Sequence, residues 1–275
     1  MNLRSYIFFV LIVLGINVGL VHAQSEADSI PASDIVESSV SVSESESEAE
    51  AAYRQNSFAE SIKLYESEIG KNKQIKKESP ELYYNLGNAY FRDNQIAKAI
   101  LNYERALLLD PGDSDIRHNL RFAKTRIEDK IDSADSFFVN QWIRSIQNLY
   151  TANRWAMIGI VLFLILIIAV GSYVISTQIT VRKISFYSGI VLLALVIIAN
   201  AFAFKQKNKI VNRSTGIVMS ASVSIHTSPD AHSQELFRLH EGSKVRIKRE
   251  EGNWFEIVIA NGSVGWLQKK NIEKI

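Results

Sequence analysis

Two long apolar runs dominate the hydrophobic pattern of this 275-residue chain. They cover residues 156–175 and 184–204, and neither contains a charged side chain. As a helix, each run is about 30 Å long, which matches the hydrocarbon core of a bilayer. The loop between them, residues 176–183, is too short to hold a domain. We therefore predict two transmembrane helices that form a hairpin, with the soluble regions before and after it on one side of the membrane.

The start of the chain has the pattern of an export signal over residues 1–23. Arg4 provides a positive start, residues 6–14 are apolar, and Val21-His22-Ala23 fits the pattern that signal peptidase cleaves. An uncleaved anchor helix is the alternative, and both place the next segment outside the cytoplasm. Residues 24–48 are rich in serine and glutamate and have too little apolar surface to offset the entropy of ordering. We predict a flexible acidic linker there, with an acidic docking tail as the alternative.

A helical pattern begins at residue 49 and repeats with an offset of 38 residues, so that residues 53–62 align with residues 91–100. The offset equals a 34-residue helical repeat with four extra residues, which we place within residues 71–77. The second copy resembles a tetratricopeptide repeat over residues 80–113. Its repeat-defining residues are Tyr83, Leu86, Gly87, Tyr90, Ala99, Tyr103, Ala106 and Pro111.

The physical reason for these residue types is close packing within a repeat. Gly87 and Ala99 allow two helices to approach, and Pro111 ends the second helix. Residues 115–126 offer a capping helix, which completes a predicted tetratricopeptide-repeat domain over residues 49–131. Because three or more repeats are usually needed for stability, we expect this short array to lean on a partner, a second copy or the membrane.

The resemblance to tetratricopeptide arrays implies a binding surface on the first helix of each unit, where a peptide or a partner helix binds. Asn85, Asn88 and Arg92 lie on that helix and are the candidate partner-binding residues. Ordinary solvated polar surface is the alternative interpretation of the three.

Residues 132–155 form an apolar face at mixed three- and four-residue spacing, with Phe137, Trp142 and Tyr150 among its aromatic members. Tryptophan and tyrosine next to a spanning helix are typical of the membrane interface. We predict a juxtamembrane amphipathic segment, and packing onto the repeat array is the alternative. Within the second run, we expect Asn200 either to bond across to the first span or to reach toward the interface.

Beyond residue 212 the pattern changes to short β-like runs separated by turn signals, of which Asn261-Gly262 is the strongest. The runs cover residues 216–219, 223–226, 234–239, 244–250, 254–259 and 262–267. The spacing predicts a small closed barrel. Residues 212–275 resemble the bacterial SH3-like (SH3b) domain in the turn before Val245 and in the closing Gly265-Trp266-Leu267. Trp254, Phe255 and Trp266 are the possible ligand surface, although a barrel this small needs at least one of them in its core.

Composition excludes several chemistries. The chain contains no cysteine, so it has no disulfide, thiolate nucleophile or thiolate metal site. The net charge of +2 includes no basic block typical of nucleic-acid binding. The histidines lack zinc-ligand spacing, and no phosphate-binding glycine loop is present. We expect no catalytic residue, cofactor or metal, and therefore a protein that is not an enzyme.

The order of segments resembles one family as a whole: the E component of the Bacteroides aerotolerance (Bat) operon proteins of Bacteroidetes. A signal, a tetratricopeptide array, a tryptophan-flanked hairpin and an SH3-like barrel occur together there. The resemblance implies a non-enzymatic membrane component that acts in envelope stress or oxygen tolerance. Its implied partners are von Willebrand A-domain membrane proteins and a MoxR-type AAA+ ATPase.

The sequence leaves two functional hypotheses. The first is an inner-membrane scaffold whose periplasmic repeat domain binds protein partners. The second is a cell-wall binding module that contacts peptidoglycan or a peptide through the SH3-like region. The export signal predicts that both soluble regions are periplasmic, although the basic residues Lys205, Lys207, Lys209 and Arg213 on that side oppose the positive-inside tendency.

Overall fold

The computed structural model describes residues 48–75, 77–130 and 138–275. The predicted signal, the linker up to residue 47 and Phe137 lie outside these ranges. The helices are α1 (residues 48–54), α2 (Phe58–Gln74), α3 (Pro80–Arg92), α4 (Ile96–Leu109), α5 (Ser114–Lys124), α6 (Phe138–Gln147), α7 (Ala152–Ile175) and α8 (Ile179–Asn212). The strands are β1 (Thr215–Val218), β2 (Ser222–His226), β3 (Glu235–His240), β4 (Lys244–Glu251), β5 (Trp254–Val258), β6 (Val264–Gln268) and β7 (Ile272–Lys274).

The turns of the two repeat copies have the same geometry. Asn56 and Asn94 lie 38 residues apart, and both have a φ of 62°. In each copy, the N–H of the following residue donates to the carbonyl five residues earlier, at 2.9 Å. Asparagine tolerates this left-handed conformation better than most residues. The second copy also begins with a cap, because the Ser79 hydroxyl accepts from the N–H of Leu82 and Pro80 occupies the first helical position.

Tyrosines and small residues build the core of the repeat array. Tyr65, Tyr83 and Tyr103 are each at most 2% exposed. A Cβ at Gly87 would lie 2.7 Å from the Tyr103 ring, so the close approach of α3 and α4 requires glycine there. All the repeat-defining residues of the second copy are buried: Tyr83, Leu86, Gly87, Tyr90, Ala99, Tyr103, Ala106 and Pro111.

Helices α7 and α8 pack against each other as an antiparallel hairpin, and both are long and apolar enough to cross a membrane. In the most apolar stretch of each, only 11% of the residues are buried, which leaves apolar side chains facing outward along most of the hairpin. Asn200 does not bond across the hairpin. Its amide donates to the Val196 carbonyl of its own helix at 2.9 Å and lies against Gly159 of α7.

The C-terminal end of α6 contacts both helices of the hairpin at one end. The Trp155 indole N–H donates to the Gln147 carbonyl at 2.9 Å, and the Trp155 ring packs edge-on against Phe202 at 5.0 Å. Trp142 of α6 is 67% exposed and Leu149, after α6, is 51% exposed, so apolar surface of both faces outward. The Leu149 carbonyl lies against Gly112 of the repeat array, so this part of the chain also contacts the array.

The C-terminal strands form one antiparallel sheet in the order β3-β2-β6-β5-β4-β1-β7. The prediction of a closed barrel is not confirmed, because β3 and β7 are the two ends of the sheet and do not pair with each other. A 3₁₀ turn at Lys269–Asn271 leads from β6 to β7, which pairs with β1. The sequence pattern did not predict β7. The sheet curls nevertheless, since Leu239 of β3 and Ile272 of β7 pack into the same core.

The sheet also packs on the repeat array, a support that our expectation of a partner, a second copy or the membrane did not include. Ile217 of β1 is fully buried and Ile275 is 2% exposed, and both belong to the hydrophobic core of the array. Gly242, in the turn before β4, has a φ of 85° and contacts Ile100 and Ile127 so closely that an added Cβ would lie 2.5 Å from the Ile127 methyl group. The short array is therefore stabilised by this chain's own β region.

Candidate partner-binding face

Helix α4 carries the face of the array that the sheet covers, and we call Ile100, Glu104 and Arg105 of that helix the covered face. Glu104 is 5% exposed, and its carboxylate accepts from Lys124 of α5 at 2.7 Å and Lys244 of β4 at 2.6 Å. Burial alone would raise the pKa of Glu104, but the two lysines outweigh it and lower the pKa to about 2. A buried carboxylate between two cations thus joins array and sheet.

A second polar contact joins the segment after α5 to the sheet. The Asp129 carboxylate accepts from the His240 backbone N–H at 2.6 Å, from His240 Nδ1 at 2.8 Å and from the Ser243 hydroxyl. Burial alone would raise the pKa of Asp129, but these hydrogen bonds outweigh burial and lower the pKa. The bond to Asp129 in turn raises the pKa of His240 above its usual value, with Glu128 3.7 Å from the other ring nitrogen.

Two arginines complete the contact. Arg105 donates to the Glu273 carboxylate at 2.7 Å and to the Lys274 carbonyl at 3.0 Å. Arg213, at the end of α8, pairs with Glu78, which also accepts from the Tyr83 hydroxyl at 2.9 Å. Burial and this bond to Glu78 raise the pKa of Tyr83 to about 12. The array is therefore bound by charged groups to both the sheet and the end of the apolar hairpin.

Helices α3 and α5 carry a face that the residues described by the structure leave uncovered. We call it the open face and define it by Tyr84, Asn88, Phe91, Asn119 and Phe122. Phe91 and Phe122 pack at a ring distance of 5.5 Å, yet Phe122 remains 49% exposed. An aromatic ring of that size at the surface is available for contact with a partner.

Hydrogen bonds hold the polar members of the open face in place. The Asn88 side-chain oxygen accepts from the Tyr103 hydroxyl at 2.8 Å and from the Asn119 amide at 3.0 Å. The same Asn119 amide lies 3.0 Å from the Tyr84 hydroxyl oxygen. These bonds link α3, α4 and α5, so the open face is presented by a rigid support, which lowers the entropy cost of binding.

The structure places the predicted partner-binding residues in different roles. Asn88 lies at the centre of the open face, where it orders the neighbouring side chains. Asn85 is half-buried beside it. Arg92 is exposed at the end of α3, with its guanidinium 5.0 Å from the Phe58 ring and 3.4 Å from the Asn56 side-chain oxygen. Arg92 therefore bridges the two repeat units at the edge of the face.

Sequence reasoning missed the aromatic members of this face. Tyr84, Asn88 and Phe91 recur at helical spacing on α3, as Asn119 and Phe122 do on α5. That spacing is visible in the sequence, but the capping helix predicted over residues 115–126 implies that its apolar residues pack inward. The exposed fraction of Phe122 shows that its ring is only partly used for packing within the array.

The three aromatic residues proposed for the sheet do not form a shared platform. Phe255 is 5% exposed and belongs to the sheet core, and Trp266 is 6% exposed beneath the Arg249 guanidinium. Trp254 is half-buried and packs edge-on against His226 at 5.5 Å. Of the three, only Trp254 offers appreciable surface to a ligand.

Comparison with known families supports the helical part of this description. The family model for the tetratricopeptide repeat matches residues 80–113, which is the unit formed by α3 and α4. A search of curated proteins found no match to the chain. Within the ranges that the structure describes, no group of three His, Asp or Glu side chains is arranged to hold a metal ion.

Proposed function

We propose that this chain is a non-enzymatic membrane scaffold that binds a protein or peptide through the open face. The observation that carries the proposal is the contrast between the two faces of one tetratricopeptide repeat. The covered face is occupied by the chain's own sheet, and the open face presents Phe122 and a fixed Asn88–Asn119 pair to solvent. Tetratricopeptide repeats bind peptides and partner helices on such surfaces.

The chemistry of the open face suggests the class of partner. Aromatic rings at Tyr84, Phe91 and Phe122 favour an apolar side chain, and the amides of Asn88 and Asn119 can bond a peptide backbone. The Arg126 guanidinium lies 5.7 Å from the Phe122 ring and leaves a positive charge at the edge of the face. An amphipathic or extended segment with an acidic residue beside its apolar anchor fits this arrangement.

We further propose that the apolar hairpin lies in a bacterial inner membrane and that both soluble regions are periplasmic. The length and apolar surface of α7 and α8 support the membrane placement, and the pattern of residues 1–23 supports the orientation. The resemblance to the Bat E component motivates partners of the von Willebrand A-domain and MoxR classes. Site-directed mutants of the open face would separate such partners from adventitious ones.

The test is co-purification with single variants of the full chain. Phe122→Ala removes the exposed ring of the open face, and Leu236→Ala is the matched control, because Leu236 is 47% exposed on β3. Each tagged chain is purified from membranes in mild detergent, and bound proteins are quantified by mass spectrometry. We expect one partner to fall at least about fivefold with Phe122→Ala and to remain with Leu236→Ala. Equal recovery from both variants would exclude the open face.

The second candidate function is cell-wall binding by the curled sheet, which we propose to be an SH3-like domain with an open edge. The accessible part of Trp254 favours this candidate. The test is sedimentation of the detergent-solubilised chain with purified sacculi, compared with Trp254→Ala. Binding that disappears in the variant would support the candidate, and absence of the wild-type chain from the pellet would reject it.

A further inference from the structure

A cleft of about 490 Å³ opens where the repeat array, the segment around the end of α6, the end of α8 and the sheet meet. Its lining includes residues of α4, α5, α6 and the loop after it, α8, β1 and β4. The polar residues of its lining that matter here are Glu104, Arg117, Asn148, Gln206, Lys209 and Lys244. The partner-binding open face lies elsewhere, on α3 and α5, so this cleft needs a separate explanation.

The position of the cleft along α8 corresponds to lipid headgroup depth. Lys209 lies five residues beyond Phe204, the last residue of the apolar run. At 1.5 Å per residue, this distance is about 7 Å along the helix. The headgroup layer extends roughly 5–7 Å beyond the hydrocarbon core on each side of a bilayer. If α8 spans a membrane, the cleft lies at the level of the phosphate groups.

The charges of the cleft are unbalanced. Three cationic side chains and one carboxylate side chain line it, and that side chain, Glu104, is already bonded to Lys124 and Lys244. The Arg117 guanidinium donates to the carbonyls of Pro111 at 2.8 Å and Gly112 at 3.1 Å. Arg117 and Lys209 are the lining cations that form no ion pair with a carboxylate among the residues described, and of the two only Lys209 is not already bonded to backbone carbonyls.

Lys209 lies among other cationic side chains. Lys205, Arg144 and Lys244 all act on its ammonium by repulsion, although Lys244 is bonded to Glu104 of the same cleft. Its one hydrogen-bond partner is the side-chain oxygen of Asn148, at 3.2 Å. Cations gathered without an anion repel one another, so an anionic ligand would stabilise this arrangement.

A buried amide fixes the wall of the cleft beside Lys209. Gln206 is 4% exposed, and its side-chain N–H groups donate to the Gln147 carbonyl at 3.1 Å and to the Asn148 side-chain oxygen at 3.3 Å. The Asn148 amide is thereby held in one orientation, with Lys209 against it. Preorganised polar groups of this kind are typical of a binding site rather than of a general basic surface.

We propose that this cleft binds a phosphate-bearing anion, with Lys209 as its principal cation and Asn148 as the residue that positions it. Two sources supply this chemistry at headgroup depth: an anionic phospholipid and soluble phosphate. The inference goes beyond partner binding by the open face. It predicts that ligand occupancy stabilises the junction of array, sheet and hairpin, because all three contribute to the lining.

The test uses the full chain in nanodiscs, with phosphatidylglycerol in phosphatidylcholine as the probe. Lys209→Gln removes the charge, and Lys207→Gln is the matched control, since Lys207 is exposed two residues earlier on the same helix and does not line the cleft. Retained phosphatidylglycerol is measured by native mass spectrometry. We expect Lys209→Gln to weaken retention about tenfold, the effect of losing one charge-assisted bond, and Lys207→Gln to leave it unchanged.

A second arm separates the two sources. In nanodiscs of phosphatidylcholine alone, inorganic phosphate is titrated while the thermal midpoint of the chain is followed. A rise in midpoint that Lys209→Gln abolishes assigns the site to soluble phosphate, and retention in the first arm alone assigns it to the lipid. Equal losses in both lysine variants, or binding in neither arm, would overturn the proposal. If Lys209→Gln does not fold, Asn148→Ala decides in its place, because it keeps the charge and removes only the positioning group.

Discussion

The covered and open faces of the repeat array belong to the same few helices, yet they differ in what completes them. On the covered face, Ile100 is fully buried and Glu104 is neutralised by a lysine from α5 and a lysine from β4. On the open face, Phe122 is half exposed, and the bonds of its neighbours Asn88 and Asn119 within the described part of the chain are to residues of the array. One face is satisfied within the chain, and the other retains surface for a partner.

This difference explains how a short array can serve as a binding module. Two repeat units and a cap bury too little surface to be stable alone, and the sheet supplies the missing core through Ile217 and Ile275. The sheet occupies α4, so α3 and α5 are left to contact a partner. We infer that the β region supports the binding surface from behind.

Removing apolar volume from the covered face should have the largest effect. Ile100→Ala would leave a cavity among fully packed side chains of the array and beside Gly242, with an expected loss of about 3 kcal/mol in the free energy of unfolding. Phe122→Ala on the open face should cost less than about 1 kcal/mol, because half of the ring is already exposed. Urea denaturation of the detergent-solubilised chain, followed by tryptophan fluorescence, measures both. Similar losses would show that the faces do not differ as described.

A glycine substitution at the interface should have the next largest effect. Gly242 and Gly262 have φ values of 85° and 92°, so alanine meets similar backbone strain at both. An added Cβ at Gly242 would also lie 2.5 Å from Ile127, whereas nothing lies within 4 Å at Gly262. We expect Gly242→Ala to cost about 2 kcal/mol more than Gly262→Ala. Hydrogen exchange of α4 should rise with the first variant and not with the second.

The effect of pH on stability through the contact between array and sheet should be smaller than that of either substitution. Stability should fall at both low and high pH. Asp129 and Glu104 have lowered pKa values, so their contribution is present above the unfolded carboxyl pKa and is lost as pH falls, for Glu104 toward about 2. His240 has a raised pKa, so its contribution is present below its unfolded pKa and is lost as pH rises through the folded value. Stability should therefore be greatest at mildly acidic pH.

Urea midpoints measured from pH 3 to pH 9 would test this profile. His240→Gln should remove the decline on the alkaline side. His232→Gln is the control, since His232 is exposed in the turn before β3. An unchanged alkaline limb in His240→Gln would assign the decline to another group.

Local sequence signals predicted the local structure well. The family model confirms the tetratricopeptide repeat at residues 80–113, and the turn residues Asn56 and Asn94 follow the predicted offset. Turn residues and apolar alternation also located β1 to β6. These features depend on neighbours in the chain, which a single sequence displays.

The features that the sequence did not reveal depend on distant residues. The contact of Ile100 with Gly242 joins positions 142 residues apart, and helical spacing shows only that Ile100 faces a core. Glu104 was a missed signal, because a carboxylate four residues after Ile100 on an apolar stripe requires a cation, which Lys244 provides. The pairing of β7 with β1 was likewise missed, since three residues give too short a pattern.

Site-specific photo-crosslinking tests the central claim most directly. Benzoylphenylalanine is placed at position 122 on the open face or at position 236 on β3, in the full chain expressed in its native membrane. Both sites are exposed, so they differ in location rather than in accessibility. We predict a single discrete adduct from position 122, lost when Asn119→Ala is added, and none from position 236. An adduct from position 236 alone, or identical adducts from both positions, would contradict the assignment of partner binding to the open face.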